Sequence, residues 1–511
     1  MMKTSNTRNR NRCKPWIIAA ALVCACLVLP QAGLAAWGDD PIAVSVEEGN
    51  QTRPQVVYDG SGGYYVTWED YELWGVFAQH YDVNGDTLWT SPIRVGGGEG
   101  DPYQEAVADG SGGLLVSYYN QDEGYSFVQR IDADGNLAWE EGGGVEVIND
   151  HHCWIAPDGQ GGAVVMSENG YVNKVSADGT LPWAEADNPR VFSDDSDATK
   201  IAPDGTGGAI LLWVELDGFS VLALQRVDAD GEFTWNGGEP LLLSEEYTGY
   251  PSLIPIEGGA IVVWQDNTVS HGYAVMAQKI NASGQIQWGE GGAVVALEHI
   301  GWPEAASDGA GGAFVTWGDW STDTVLAQHM GANGEPVWTE KVHMSPEGDL
   351  NVVFDWHPRR TVEDGLGGFI TAWASNDQEI KAQRCDASGD VLWTTAGAVL
   401  AQGQSIFYWP RLASNGQGGA VAVWVDGLDD TSKDIFMQGV SAEGVAGNPG
   451  YTPPADPDDP SDDPSDDPPA TGGSSGSNGL CFAVAAVPAG GAGALLVLLA
   501  GAGGLFMPRR R

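Results

Sequence analysis

Aromatic and acidic side chains occur together in several irregular stretches of this chain, and these residue types are well suited to hold a ligand. The stretch 69–74, for example, combines acidic residues with Tyr71 and Trp74. Aromatic faces stack on sugar rings or cationic groups, and carboxylates accept hydrogen bonds from hydroxyl or ammonium groups. We therefore predict a binding face made of Tyr71, Trp74, Tyr103, Trp154, Tyr250, Trp302, Trp320, Trp356 and Trp409. The alternative is that these rings cap the hydrophobic core beneath them.

Metal-binding and catalytic motifs have less support. His151-His152-Cys153 has the residue types of a metal site, but adjacent side chains of a strand point to opposite faces. The segments 82–86 and 132–135 resemble calcium loops, yet they lack the closing glutamate and fall where a hairpin must turn. Motifs of serine hydrolases, zinc proteases and phosphate loops do not occur. We predict no cofactor and no catalytic residue, and calcium at an acidic loop is left open.

A repeated unit positions the aromatic residues, and its clearest copy runs from residue 103 to residue 139. Short apolar runs alternate there with tight turns, which predicts four short strands. Glycine at these turns adopts a positive φ without a Cβ clash. The turn Asp-Gly-x-Gly-Gly begins at Asp59, Asp109, Asp158, Asp204, Asp308 and Asp364, with a variant at Asn415 and a shortened copy at Glu257.

Two further positions recur in the unit. The third strand carries Gln or Asn, and we expect it to satisfy backbone groups between strands: Gln79, Gln129, Asn173, Gln225, Gln278, Gln328, Gln383 and Gln438. The fourth strand begins with a Trp, which we expect to pack blade against blade: Trp89, Trp139, Trp183, Trp235, Trp288, Trp338 and Trp393. His80 and His329 follow this Gln where other repeats carry Arg, Lys or Gly, and we expect both at the surface.

The eighth repeat lacks its Trp, and the missing strand stands at the other end of the chain. Residues 37–46 begin with Trp37 and continue with an alternating apolar pattern like that of the other fourth strands. Four-stranded units at this period are typical of a β-propeller. We predict an all-β protein, an eight-bladed β-propeller of four-stranded blades over residues 36–446, closed by the N-terminal strand. An open β-solenoid is the alternative.

Composition agrees with this fold and narrows the partners. The chain contains 72 Gly and 21 Trp, and its formal net charge is −47. Abundant Gly argues against helices. The acidic balance excludes nucleic acid as a partner, because phosphates require Lys and Arg, and it favours cations or a basic partner. In the predicted propeller only Cys153 and Cys385 remain, which excludes a disulfide framework, and we expect both to be buried.

The N-terminal residues 1–35 are typical of a secretory signal peptide. A basic segment up to Lys14 precedes an apolar run, and small residues up to Ala35 form a plausible cleavage site. A lipoprotein signal at Cys24 or Cys26 is the alternative. We therefore predict an extracytoplasmic protein.

The C-terminal part has a different composition. Residues 447–480 are rich in Asp and Pro and then in Gly and Ser, which predicts a disordered linker. Residues 481–508 carry no charge and three arginines end the chain, which is typical of a membrane span with the arginines inside.

This C-terminal arrangement resembles the CTERM sorting tails of bacterial proteins, of the MYXO-CTERM and SYNERG-CTERM kind. The resemblance covers about the last 40 residues and rests on the linker, the single Cys481, the small-residue apolar segment and the terminal arginines. It implies that Cys481 is the position where the protein is processed and anchored. The whole chain then resembles a secreted bacterial propeller repeat protein attached to a membrane.

Three functions are compatible with these features. The first is a non-catalytic binding or adhesion module, displayed on the cell surface on a membrane-anchored stalk, with a glycan, a peptide or an envelope protein as partner. The second is a structural spacer of a surface layer. The third is a propeller lyase or glycosidase, which requires paired carboxylates, at least one with a raised pKa.

Overall fold

The fold is an eight-bladed β-propeller, as predicted. The computed structural model describes residues 37–38, 40–139, 143–184, 190–192, 196–215, 220–244, 248–257, 259–267, 273–297, 300–350, 361–402, 406–429 and 432–447. In these residues every regular element is a strand except one short 3₁₀ turn, Trp235–Gly238. The predicted signal peptide, most of the linker and the tail lie outside the described residues.

Each blade is a four-stranded antiparallel sheet, and in the first seven blades the four strands follow one another along the chain. The first four blades contain β2 (Gln51–Tyr58), β3 (Tyr64–Asp70), β4 (Gly75–Tyr81) and β5 (Ile93–Gly96); β6 (Glu105–Ala108), β7 (Leu114–Asn120), β8 (Tyr125–Ile131) and β9 (Val145–Ile148); β10 (Cys153–Pro157), β11 (Ala163–Ser167), β12 (Tyr171–Val175) and β13 (Arg190–Val191); and β14 (Ser196–Pro203), β15 (Ala209–Glu215), β16 (Val221–Val227) and β17 (Leu241–Leu242).

The second half of the ring repeats this order. Its blades contain β18 (Thr248–Ile256), β19 (Gly259–Asp266), β20 (Ala274–Asn281) and β21 (Ala293–Leu297); β22 (Ile300–Ser307), β23 (Ala313–Asp319), β24 (Thr324–Met330) and β25 (Val342–His343); β26 (Thr361–Glu363), β27 (Phe369–Ala374), β28 (Glu379–Cys385) and β29 (Ala398–Gln402); and β30 (Ile406–Ser414), β31 (Ala420–Asp429), β32 (Ser432–Val440) and, from the N-terminus, β1 (Ile42–Ser45).

The N-terminal strand closes the ring. Strand β1 pairs antiparallel with β32, with Ile42 opposite Met437. The amide of Gln438 donates to the carbonyl of Gly38 at 3.0 Å, a contact between residues 400 positions apart. Closure removes the open edges that the eighth blade would otherwise expose. The predicted strand exchange is therefore confirmed.

A tryptophan joins each blade to the next. In every blade the indole Nε1 donates to a backbone carbonyl in the outer turn of the following blade, at 2.7–3.2 Å. Trp37 makes this bond to Val83 and so connects the eighth blade to the first. The predicted role in blade packing is confirmed, but these residues precede the fourth strand and do not begin it, as Trp89 before Ile93 shows.

A glycine lies under each of these indoles. It is the Gly of the turn between the third and fourth strands, and its φ is between 75° and 89°. A Cβ at this position would come within 2.4–3.2 Å of the indole of the preceding blade. Glycine is therefore required twice, for the positive φ and for the close approach of the ring. The set is Gly85, Gly135, Gly179, Gly231, Gly284, Gly334, Gly389 and Gly444.

The glutamine of the third strand holds the Trp segment in place. In the fourth blade, Trp235 N donates to Oε1 of Gln225 at 2.9 Å, and the Gln225 amide donates to the Trp235 carbonyl at 3.3 Å. The buried amide satisfies backbone groups that have no strand partner at this point. This prediction is confirmed.

A basic side chain of the third strand contacts the turn carboxylate in six of the Asp-Gly-x-Gly-Gly turns. Oδ1 of Asp59 accepts from the backbone N–H groups of Ser61 and Gly63, and His80 Nε2 lies 3.0 Å from Oδ2. Burial alone would raise the pKa of Asp59, but the hydrogen bonds from Ser61, His80 and Gly63 hold it below its ordinary value. The expectation that His80 and His329 lie at the surface is wrong, since both are buried against the turn carboxylate.

The hydrophobic core formed by the described residues consists of eight clusters, each between two adjacent blades. The cluster that joins the eighth blade to the first contains Trp37, Trp68 and Ile435. Cys153 and Cys385 are buried and unpaired, as predicted. Because every blade face is covered by its neighbour, the stability of each blade depends on the completed ring.

Gly85→Ala and Gly60→Ala test the contact that closes the ring. Both glycines have a φ near +80°, so alanine costs about 1–2 kcal/mol at either site. Only at position 85 would the new Cβ also meet Trp37, at 3.1 Å. We expect Gly85→Ala to lose about 1–3 kcal/mol more of the free energy of unfolding than Gly60→Ala in urea denaturation. Equal losses would contradict a closing role for the contact.

Candidate functional site

The two faces of the ring differ in regularity. The turns after the first and third strands of each blade lie on one face, the turn face, and are short and nearly uniform. The loops after the second strand and the crossings between blades lie on the opposite face, the loop face, and vary in length and composition. Loops on a rigid scaffold are where recognition residues concentrate. The loop face is therefore where a ligand site is expected.

Strained residues mark the innermost strands at the loop face. Five non-glycine residues that stand at the same place in their blades have a φ of 43–51°: Arg53, Tyr103, His152, Tyr250 and Trp302. The pairing register of the first strand shifts at this place in the first, fifth and sixth blades. A positive φ is uncommon for large side chains, and such outliers cluster at functional sites. These residues stand at the loop-face end of the strands whose later residues, such as Gln55 and Glu304, line the central channel.

Two of these residues, Arg53 and His152, are absent from the predicted site. The regular spacing between the bulge residue and the turn Asp could have found them, since Arg53 precedes Asp59 by the same interval as Tyr103 precedes Asp109. Because the predicted binding face contained aromatic residues only, it included Trp154 and not His152. The structure places Trp154 within β10, in the wall of the channel.

A buried network fixes the bulge of the first blade. Arg53 donates to Glu69 Oε2 at 3.0 Å and to both oxygens of Asp101. The Tyr71 hydroxyl donates to Asp101 Oδ1 at 2.8 Å, and the backbone N–H of Gln104 donates to Glu69 Oε1 at 3.0 Å. Charge-assisted bonds of this kind are the stronger hydrogen bonds of proteins. The network therefore offsets the strain at Arg53.

From Arg53 a series of stacked rings runs around the channel mouth. The guanidinium lies over the ring of Tyr103, 4.3 Å from its centre. Tyr103 stacks on His152 with ring centres 4.9 Å apart, and His152 lies 4.1 Å from Trp154. Cation–π and stacking contacts each contribute about 0.5–1.5 kcal/mol. Trp154 is only 6% exposed, so the capping alternative describes it better than ligand contact does.

Trp74 is displayed above this network. Its side chain is 41% exposed and its φ is 49°, in the tight loop between β3 and β4. The ring of Tyr71 approaches it edge-on at 6.3 Å. An exposed indole held in a strained turn is available to a ligand.

A second aromatic cluster lies on the fifth and sixth blades. Trp302 is 8% exposed and packs beneath Trp320, with ring centres 5.4 Å apart. Tyr250 meets Trp302 at 6.1 Å, and Tyr273 meets Trp320 at 6.1 Å. Trp320 and Tyr273 are 36% and 48% exposed, so they present an open surface while Trp302 acts as their support. Trp356 and the side chain of Trp409 lie outside the described residues.

A central channel lies between the innermost strands of the blades. It encloses about 290 Å³ and is lined by residues of the inner strands, among them Glu105, Lys200, Glu304 and Arg411. Its walls carry both signs of charge, although the chain as a whole is strongly acidic.

Among the described residues, no group of three or more His, Cys, Asp or Glu side chains is arranged to hold a metal ion. His151 pairs with Glu168 at 3.0 Å, His152 stacks on Tyr103, and Cys153 is buried. Burial also raises the pKa of the Cys153 thiol. These three neighbours therefore have separate contacts, although of the three only Cys153 lies in a strand, so strand alternation is not what separates them.

The carboxylates of Glu69 and Asp101 form a pair bridged by Arg53. Burial raises the pKa of Glu69 to about 7, because its desolvation and the negative charge of Asp101 outweigh the attraction of Arg53. The enzyme hypothesis requires such a raised pKa. However, Glu69 is fully buried beneath Arg53 and Tyr71, so its oxygens face protein groups and not the channel.

The architecture defines the protein as an eight-bladed propeller with an aromatic, acidic loop face. No family model and no curated protein match the sequence. Among the described residues, no helix has the length and apolar character needed to cross a membrane.

Several solved propeller structures are similar to the chain at low identity. The Dos1 propeller is 11% identical, with a TM-score of 0.47 over 78% of this chain and 93% of that chain. A lectin, BP39L from Burkholderia pseudomallei, is 13% identical, with a TM-score of 0.45 over 70% of this chain and 100% of that one. A polysaccharide lyase, PL25 ulvan lyase, is 10% identical, with a TM-score of 0.42 over 80% and 97%. These likenesses concern the fold alone.

The pH dependence of stability tests the role of Glu69. Its pKa rises from an ordinary value of 4.5 to about 7 on folding, so its contribution to stability is fully present below pH 4.5 and is lost as the pH rises to about 7. We expect the free energy of unfolding of the wild type to fall in that window relative to Glu69→Gln, by about 1.4 kcal/mol per unit of pKa difference.

Glu72→Gln removes an exposed carboxylate from the same loop and is the matched control. Melting curves of the three proteins between pH 4 and pH 9 make the comparison. A constant difference between the wild type and Glu69→Gln across this range would show that Glu69 does not titrate in the network.

Proposed function

We propose that the protein is a non-catalytic binding module whose ligand is a glycan held on the loop face. The observation that supports this most is the presence of two exposed aromatic surfaces on the loop face, Trp74 in the first blade and Trp320 with Tyr273 in the fifth and sixth blades. Exposed planar rings stack on sugar faces, and the acidic residues of the same loops accept hydrogen bonds from hydroxyl groups. The net charge of −47 favours a neutral or basic glycan over an anionic one.

A catalytic role has weaker support. Glu69, whose pKa is raised beside Asp101, is held in the network that binds Arg53. Burial and the charge of Asp426 also raise the pKa of Asp434. A general acid must come within hydrogen-bond reach of its substrate, and for Glu69 this would require the network to open. The surface-layer spacer alternative predicts no ligand at the exposed rings.

A peptide or an envelope protein is the second candidate partner. The exposed rings and the acidic side chains would also suit a basic peptide, since both bind cationic groups. The glycan is favoured because the exposed rings are separate planar surfaces, on which sugar rings can stack one at a time.

We further propose that the protein acts outside the cytoplasm and is attached to a membrane through residues 481–511. The support is the sequence alone: the signal-like residues 1–35 that end at Ala35, and the tail that resembles a CTERM sorting signal with Cys481. Cell fractionation is the test. Recovery of the intact 511-residue chain in the cytoplasm would contradict this location.

Substituting the exposed tryptophans, and separately the tryptophans that bond neighbouring blades, distinguishes an effect on ligand binding from an effect on folding. A glycan array probed with the full chain identifies the ligand. We expect Trp74→Ala and Trp320→Ala to weaken its capture by about 2 kcal/mol each with little change in melting temperature. Trp139→Ala and Trp338→Ala remove rings that latch neighbouring blades, and we expect them to lower the free energy of unfolding by about 3–5 kcal/mol.

Two outcomes would contradict the proposal. The first is an array on which no glycan captures the folded protein. The second is a pair of exposed-ring variants that unfold as readily as the latch variants, because Trp74 and Trp320 would then be core caps.

A further inference from the structure

The turn face has one irregular place, in the fifth blade. Its turn, residues 256–259, is one residue shorter than the Asp-Gly-x-Gly-Gly turns of the blades on either side, which span 204–208 and 308–312, and Ile256 stands at the position of their Asp. Between these flanking turns lies a cavity of about 920 Å³, the notch, which extends to Glu363 of the seventh blade. This volume is in the range of small-molecule sites, about 300–1,000 Å³.

The notch contains a lysine without the partner that its counterparts have. In six blades the residue after the third-strand Gln or Asn pairs with the turn Asp at 2.7–3.3 Å. The eighth blade has neither group, since Asn415 and Gly439 stand at these positions. The fifth blade keeps the cation, Lys279, but has lost the Asp.

Lys279 is correspondingly short of acceptors. Its Nζ donates to the carbonyl of Gly311 in the next blade at 2.6 Å. Within the described part of the chain it forms no ion pair, whereas Lys174 at the same place pairs with Asp158 as well as donating to Gly207. An ammonium group has three N–H donors, so Lys279 can take a further acceptor from the cavity that it lines.

We propose that the notch binds a small ligand through a carboxylate, which takes the position of the missing Asp side chain and accepts from Lys279 Nζ. Glu257 and Glu363 also line the cavity. They favour a carboxylate that is accompanied by a positive group, as in a short peptide with free termini, over a simple anion. This site lies on the turn face and is separate from the proposed glycan surface.

Melting of the full-length protein with three probes tests the ligand chemistry. Trialanine supplies a carboxylate and an ammonium group, trialanine amide lacks the carboxylate, and acetate lacks the ammonium group. We expect trialanine to raise the melting temperature progressively with its concentration, acetate to do so more weakly, and the amide to have no effect. A response to acetate alone would assign the site to simple carboxylates. Equal responses to trialanine and its amide, or no response to any probe, would overturn the proposal.

Protein variants locate the response. Replacing residues 256–259 with the five residues 308–312 of the sixth blade restores the length of the turn, supplies the missing Asp and fills the notch, so we expect the response to trialanine to disappear. Lys279→Gln keeps hydrogen-bond donors but removes the charge, and we expect affinity to fall roughly tenfold or more. Lys174→Gln, at the same place in a blade with a complete turn, is the control and retains the response. An unchanged affinity in Lys279→Gln would contradict the assignment, even if the repaired turn failed to fold.

Discussion

The hydrogen bond from each tryptophan indole to the backbone of the next blade is the interaction on which the whole ring depends. A four-stranded blade has two apolar faces and cannot bury them alone. The indole bond and the glycine beneath it fix the distance and angle at which each blade meets its neighbour. Eight such contacts close only if the eighth comes from the N-terminus, and Trp37 supplies it by donating to Val83. The N-terminal strand is therefore an integral part of the fold.

The contacts that hold the ring together and the residues that can bind a ligand lie on different faces. The indole contacts, the Asp-Gly-x-Gly-Gly turns and their ion pairs all lie toward the turn face, which leaves the loop face free to vary. A rigid ring can hold strained residues such as Arg53 and Trp302 in conformations that an isolated strand would relax. The exposed Trp74 and Trp320 are then presented at fixed positions, with little conformational entropy left to lose when a ligand binds.

Much of the ring was predictable because its determinants repeat. The spacing of the turns, the Gln and the Trp predicted the blade number and the closure, since each position has the same contacts in every blade. The buried pairing of His80 and His329 was missed because it needs knowledge of which side chains share a face across two strands. The positive φ of Tyr103 and the position of Trp154 in the channel wall depend on how the first strands bend at the loop face, and no local residue pattern indicates this. The shortened turn at the notch was visible in the sequence. The structure was needed to show that Lys279 lines the cavity and that the Asp paired with its counterparts is missing there.

A circular permutant gives the most direct test of the closed ring. In seven blades the Trp stands ten residues after the third-strand Gln or Asn, so the natural continuation of Gln438 places it directly after Gly447. A Cβ on Gly447 would lie 3.2 Å from the carbonyl oxygen of Trp37, which shows that the two residues are neighbours. The permutant would run from residue 47 to residue 447 and continue with residues 37–46, and its melting temperature would be compared with that of residues 37–447. The closed ring predicts the same cooperative unfolding at an equal or higher temperature, because the eighth blade becomes continuous. A clearly lower melting temperature, or loss of cooperative unfolding, would contradict it.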